Sequence, residues 1–104
     1  MEYKVVLTSQ AKIHFRQVID YLMNELESAQ AATSVADDFI QTKQRLAQVA
    51  GSLKLCDNEI LRAKGYRTIR FSKHRYLMVY KVEADTAYVV GIYHDLQDYE
   101  KTLS

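Results

Sequence analysis

The sequence predicts an α+β fold in the order β-α-α-β-β-β-α, with an N-terminal helical hairpin packed on a small, mainly antiparallel sheet. Three observations predict it. A short apolar run, Tyr3 to Leu7, is followed by two long apolar stripes at helical spacing. Three strand-like runs then crowd the last forty residues. The links between those runs are too short for a crossover, so they pair as antiparallel neighbours.

Each element has its own reason. Tyr3 to Leu7 is rich in β-branched residues and reads as a first strand. Thr8 or Ser9 can cap the next element, because a hydroxyl there accepts a hydrogen bond from a free helical N–H. Phe15, Val18, Ile19, Leu22 and Leu26 recur at steps of three and four, one stripe on a helix of about five turns. A second stripe holds Ala32, Val35, Ala36, Phe39, Ile40, Leu46, Ala47 and Ala50, and it ends at Gly51, a residue suited to a C-cap. The break between the helices falls near Ser28 to Ser34, where neither Gly nor Pro marks it. Residues 52–64 lack periodicity and read as a loop, with a short strand or turn around Glu59 to Leu61. Gly65 opens the second strand, Ser72-Lys73-His74 forms a turn, and Arg75 to Val82 is the third strand. Glu83-Ala84-Asp85 turns the chain into Ala87 to Tyr93, the last strand. From Asp95 a short helix follows, with Leu96, Tyr99 and Leu103 on one face.

Length and composition set the class. A chain of 104 residues, 48% hydrophobic and 26% charged, is expected to form one domain over residues 1–104. No apolar stretch approaches the ~20 residues that span a bilayer. Met1-Glu2-Tyr3-Lys4 lacks a secretory apolar run, and one cysteine, Cys56, cannot form an internal disulfide. A reducing cytoplasm is the expected location, with Cys56 a partly buried, inert thiol.

Charge is sorted along the chain. Residues 54–81 hold 8 Lys and Arg against 2 Asp and Glu, whereas residues 82–104 hold 1 against 5. A near-neutral protein that gathers its cations in one quarter of its length is expected to meet an anion there. Alternation along the third strand places Tyr76, Met78, Tyr80 and Val82 on the helix-covered face. Arg75, Leu77, Val79 and Lys81 then occupy an open face. In the preceding strand, Ile69 and Phe71 read as core, which leaves Tyr66, Thr68 and Arg70 on the open face. Arg70 and Arg75 would lie close together beside the turn, and arginine suits phosphate through its two parallel donors. The competing reading is that these cations form a solvated face or hold the acidic tail through Asp95, Asp98 or Glu100. His94 ends the last strand, where a neutral imidazole can move a proton. His14 reads as a surface residue. His74, in the basic turn, adds charge only when protonated. No metal-ligand spacing, Gly-rich phosphate loop or nucleophile elbow occurs, so no cofactor and no metal are expected.

Several stretches together resemble a known family. Asp20-Tyr21-Leu22 in the helix pair, Gly65-Tyr66-Arg67-Thr68-Ile69-Arg70, Tyr76-Leu77-Met78-Val79-Tyr80 and Ile92-Tyr93-His94 with Asp98-Tyr99 are similar, in that order, to the RelE/ParE toxins of bacterial type II toxin–antitoxin systems. The resemblance implies a small toxin held inactive by a cognate antitoxin protein. It also implies one of two targets. RelE-like members are ribosome-dependent endoribonucleases that cleave mRNA, and ParE-like members inhibit DNA gyrase without being enzymes. A third reading is a binding module that has lost toxicity.

Under the nuclease reading, His94, Arg70, Arg75 and Tyr99 are the candidate catalytic residues, and Arg67, Lys73, His74 and Lys81 would bind substrate. The chain departs from the nuclease pattern twice. Leu77 stands where those members carry an arginine, and Asp95 stands where arginine often follows the histidine. The basic cluster with His94 leans the expectation toward mRNA cleavage. Leu77, Asp95 and the long helical hairpin lean it toward gyrase.

Overall fold

The computed structural model describes residues 2–104; Met1, part of the N-terminal reading above, lies outside the described residues. Strand β1 (Lys4–Leu7) leads into helix α1 (Ser9–Asp20), and Thr8 caps it by accepting from the Ala11 N–H at 3.2 Å. A π-helical segment, Tyr21–Glu25, continues α1 with wider turns. Those turns rotate Leu26 out of the stripe and leave it exposed. The chain breaks at Glu27, which takes a left-handed φ of 49° that more often belongs to Gly or Asn. Ser28 then caps α2 (Ala29–Val49) by accepting from the Ala31 N–H. The break therefore comes at the start of the expected window, and a glutamate makes the turn.

Helix α2 buries Ala32, Val35, Phe39 and Leu46, and Phe39 stacks on Phe15 of α1 at 4.2 Å between ring centres. Ile40, expected in the stripe, is exposed. Gly51 does not supply a left-handed cap. A Cβ at that position would meet the Tyr3 hydroxyl and ring, so the residue permits a close approach of the N-terminal strand.

The expected loop contains a further helix, α3 (Glu59–Ala63). Asn58 starts it by accepting from the Ile60 and Leu61 N–H groups at 3.0 and 3.1 Å, and Leu61 is fully buried. The observed order is thus β-α-α-α-β-β-β-α. Gly65, at φ 83°, turns the chain into β2 (Tyr66–Arg70). Strands β3 (Tyr76–Glu83) and β4 (Thr86–His94) follow, then α4 (Tyr99–Leu103), capped by Asp98.

The four strands lie in the order β1-β4-β3-β2. The meander pairs antiparallel, and β1 pairs parallel with β4 from Lys4↔Thr86 to Leu7↔Val89. A bulge lies opposite Val79 and Tyr80, with Val90 the extra residue between Val89 and Gly91. One sheet face carries α1 and α2 over a core that includes Met78, Tyr80, Val89 and Ile92. Among the described residues, no helix is long and apolar enough to cross a membrane.

Candidate functional site

Alternation holds on the helix side: Tyr76, Met78, Tyr80 and Val82 all join that core. The other face is less open than the strand pattern alone suggests. Leu77 and Val79 are buried there with Tyr93, and Tyr66, Val90, Tyr99 and Leu103 pack against them. Helix α4 is responsible, held in part by the Lys64 ammonium donating to the Leu103 carbonyl at 2.9 Å. Leu96, expected on the same apolar face as Tyr99, is exposed instead.

Arg70 and Arg75 meet at the end of this outer face. The Arg75 Nε donates to Asp95 Oδ2 at 3.0 Å, and Arg70 Nη1 lies 3.8 Å from the same oxygen. Asp95 is placed there because the ladder continues past β4, its N–H donating to the Arg75 carbonyl at 2.9 Å. The arginine side chains remain 68% and 72% exposed, while that of Asp95 is 13% exposed. The cluster therefore does hold the acidic tail, through Asp95, and still offers free donors to solvent. The other carboxylate oxygen, Oδ1, is buried and makes no hydrogen bond.

His94 is directed elsewhere. It is the register partner of Tyr76, so its ring shares the helix side, edge-on to the Tyr76 ring at 5.3 Å. Its Nδ1 accepts from the Leu96 N–H at 3.2 Å and lies 3.3 Å from Asp95 Oδ1. The ring lines a cavity of about 480 Å³ together with His14, Gln17, Tyr21, Tyr76 and Gln97. Tyr99 lies on the outer face, 5.7 Å from the Tyr93 ring, beside a second cavity of about 490 Å³ that also involves Cys56 and Arg70. Burial pushes the Tyr99 phenol and the Cys56 thiol up from their ordinary values. Of the four candidate catalytic residues, the fold gathers Arg70, Arg75 and Tyr99 on one face and turns His94 to the other.

The candidate binding residues also divide. Arg67 pairs with Tyr80 in register and so points to the helix side, where its Nη1 donates to the Ala50 carbonyl at 3.3 Å. The Tyr80 hydroxyl donates to the same carbonyl at 2.8 Å, and burial pushes that phenol up to about 12. Arg67 is thus turned inward and is removed from the outer basic face. Lys81 stays outside and lies 3.5 Å from Glu83. Lys73 has an exposed side chain but uses its backbone N–H on Asp38 at 2.8 Å.

His74 is turned onto α2 and away from solvent. Its Nδ1 lies 2.7 Å from Asp38 Oδ2, and Nε2 lies 3.3 Å from the Ser34 hydroxyl. Asp38 is buried on α2 and also accepts from the Ser72 N–H at 3.0 Å. Burial alone would raise its pKa. The hydrogen bonds from His74, Lys73 and Ser72 outweigh that and hold the carboxyl below its ordinary value. Asp38 was not singled out from sequence. The available signal was a carboxylate on the buried stripe between Val35 and Phe39. His14 is another departure. It is half-buried, its Nδ1 accepts from the Ile92 N–H at 3.2 Å, and burial lowers its pKa.

Residues 5–99 match the family described as the ParE toxin of type II toxin–antitoxin systems, parDE, and the chain belongs to that family. Its fold is RelE/ParE-like. A solved chain of the chromosomal ParDE toxin–antitoxin system from P. aeruginosa superposes with a TM-score of 0.73 at 17% identity, covering 89% of this chain and 96% of that one. No curated protein sequence matches the chain. Among the described residues, no group of three or more His, Cys, Asp and Glu side chains could hold a metal ion.

Proposed function

We propose that this chain is the toxin of a type II toxin–antitoxin pair, neutralised by a cognate antitoxin protein, and that it inhibits DNA gyrase by binding rather than by catalysis. The observation that carries this reading is the division of the candidate catalytic set across the sheet. Cleavage of RNA needs a base at the 2′-hydroxyl and cations at the same phosphate. Here the ring of His94 sits with Tyr76 on the helix side, while Arg70 and Arg75 face outward against Asp95. Leu77, at the position where nuclease members carry arginine, is only 2% exposed beneath Tyr93 and α4. Membership of the ParE toxin family supports the same side of the choice. In this reading, Arg70, Arg75 and Lys81 offer the exposed donors to an acidic surface of the target.

The second reading is ribosome-dependent mRNA cleavage. One observation favours it: Arg70, Arg75 and His94 all lie between 3.0 and 3.8 Å of the single Asp95 carboxylate. Pulse-labelling of DNA and protein synthesis within minutes of expressing the chain alone separates the two. The gyrase reading expects DNA synthesis to stop first and purified gyrase to lose supercoiling activity when the chain is added. Early collapse of protein synthesis with gyrase unaffected would replace it with the mRNA reading.

A further inference from the structure

Three side chains form a relay: Ser34 and Asp38, which neither toxin reading uses, and His74, which the fold turns away from the outer basic face. Ser34 and Asp38 are four residues apart on α2 and therefore share a face of the helix. His74, from the turn between β2 and β3, lies against both. Its Nδ1 is 2.7 Å from Asp38 Oδ2, and its Nε2 is 3.3 Å from Ser34 Oγ. The Asp38 side chain is completely buried, and its two oxygens also receive the backbone N–H groups of Ser72 and Lys73 at 3.0 and 2.8 Å.

This arrangement assigns the protons. An ionised carboxylate can only accept, so the Nδ1 facing Asp38 carries the hydrogen. In the neutral ring, Nε2 then presents a lone pair, and the Ser34 hydroxyl donates to it. That is the tautomer a general base requires beside a nucleophilic serine. Ser34 is exposed, so an electrophile can reach it. Its own amide lies within the α2 ladder, which leaves it bonded inside the helix and not aimed at a developing oxyanion. Chemistry at this site therefore depends on a good leaving group instead of strong oxyanion stabilisation.

We propose that Ser34 is a base-activated nucleophile toward small activated esters and fluorophosphonates, with His74 as its general base and Asp38 as the positioning residue. With an ester, the Ser34 oxygen bonds to the carbonyl carbon as its proton passes to His74 Nε2. The bond to the leaving alkoxide or phenolate breaks, and that group departs with the electron pair and takes up the proton. Water then attacks the acyl carbon as His74 accepts its proton, the bond from that carbon to the Ser34 oxygen breaks, His74 returns the proton to Ser34, and the free acid leaves. With a fluorophosphonate, the P–O bond forms as the Ser34 proton passes to His74 Nε2, the P–F bond breaks, and fluoride leaves with the electron pair. The inference is independent of which toxin target is correct.

The test is labelling of the intact folded chain with a fluorophosphonate, followed by peptide mass spectrometry. Ser9, Ser28, Ser52, Ser72 and Ser104 act as internal controls in the same molecule. Ser34 is expected to react about 100-fold or more faster than any of them, the low end of what a positioned base supplies. His74→Asn keeps a donor for Asp38 and removes the base, so labelling should fall to the level of the other serines. Ser34→Ala, at an exposed position in α2, should lose the adduct and keep the wild-type circular dichroism. Ring-nitrogen NMR should report the Nδ1–H tautomer at His74. Equal labelling of Ser34 and the control serines, labelling that survives His74→Asn, or an Nε2–H tautomer would each overturn the proposal.

Discussion

On the helix side of the sheet, Met78, Tyr80 and Val89 are completely buried, and Arg67, turned toward that side, donates to the Ala50 carbonyl. On the outer side, Leu77, Val79 and Tyr93 are buried under a helix of five residues, and Arg70 and Arg75 share a carboxylate at the rim. The strands are the same and the pleat is the same. What differs is the cover. Two long helices exclude water, so most polar groups there find internal partners, with Thr42 Oγ1 and Arg67 Nε as buried exceptions. One short helix covers the middle of the outer face and leaves its cationic end in solvent. The helix side therefore carries most of the stability, and the outer rim has charge free for a partner.

That contrast can be broken most directly by truncation. Leu46→Ala, in the helix-side core, should cost about 2–5 kcal/mol, against about 1 kcal/mol for Leu103→Ala on the outer cluster. Urea denaturation midpoints measure both, and equal losses would remove the distinction between the faces.

Asp38→Asn should come next, at about 2 kcal/mol, because three donors would lose their charged acceptor. The pH dependence has a definite sign. The folded carboxyl lies below its ordinary value of 3.8, so the unfolded chain binds that proton more readily. The stabilisation is fully present above the ordinary value and is lost as pH falls through the lower folded one. Asp38→Asn should flatten this acid limb, and an unchanged limb would show that other groups produce it.

Gly51→Ala should cost about 1–3 kcal/mol, because the new methyl meets the Tyr3 side chain. Adding Tyr3→Ala to that variant should make the second substitution cost less than it does alone, which a double-mutant cycle by thermal unfolding would measure.

The smallest expected effect on stability is at the rim. Arg75→Gln should change it by less than about 1 kcal/mol, since the pair with Asp95 is solvent-screened. Growth inhibition should fall in the same variant if the rim contacts the target. Full toxicity with full stability would place the contact elsewhere.

Much of the architecture was legible because periodicity is a local property. The two apolar stripes, the three clustered strands and the Thr8 cap could be recognised within short windows. The π-helical segment, the Glu27 turn and α3 were less legible. A π turn keeps helical composition, a left-handed glutamate has no sequence mark, and α3 is five residues long. Asn58 was the one readable signal of that helix, since its side chain accepts from two of the free N–H groups. At the candidate site, alternation correctly separated Tyr76 from Leu77. The same rule, applied to His94 and Asp95, would have put the histidine ring with Tyr76 and the carboxylate with the arginines, although the two still meet at 3.3 Å where the strand ends.

By itself, the sequence determined the periodicities, the order of most elements and the concentration of cations between residues 54 and 81. These follow from backbone geometry, which acts over a few residues. Only the tertiary structure decided that Arg67 turns inward while Arg70 stays in solvent, that Asp95 closes on both outer arginines, and that Asp38 meets His74 across 36 residues of chain. Those outcomes depend on how separate elements stack, and a side chain's partner is chosen by that stacking and by the need to satisfy buried polar groups.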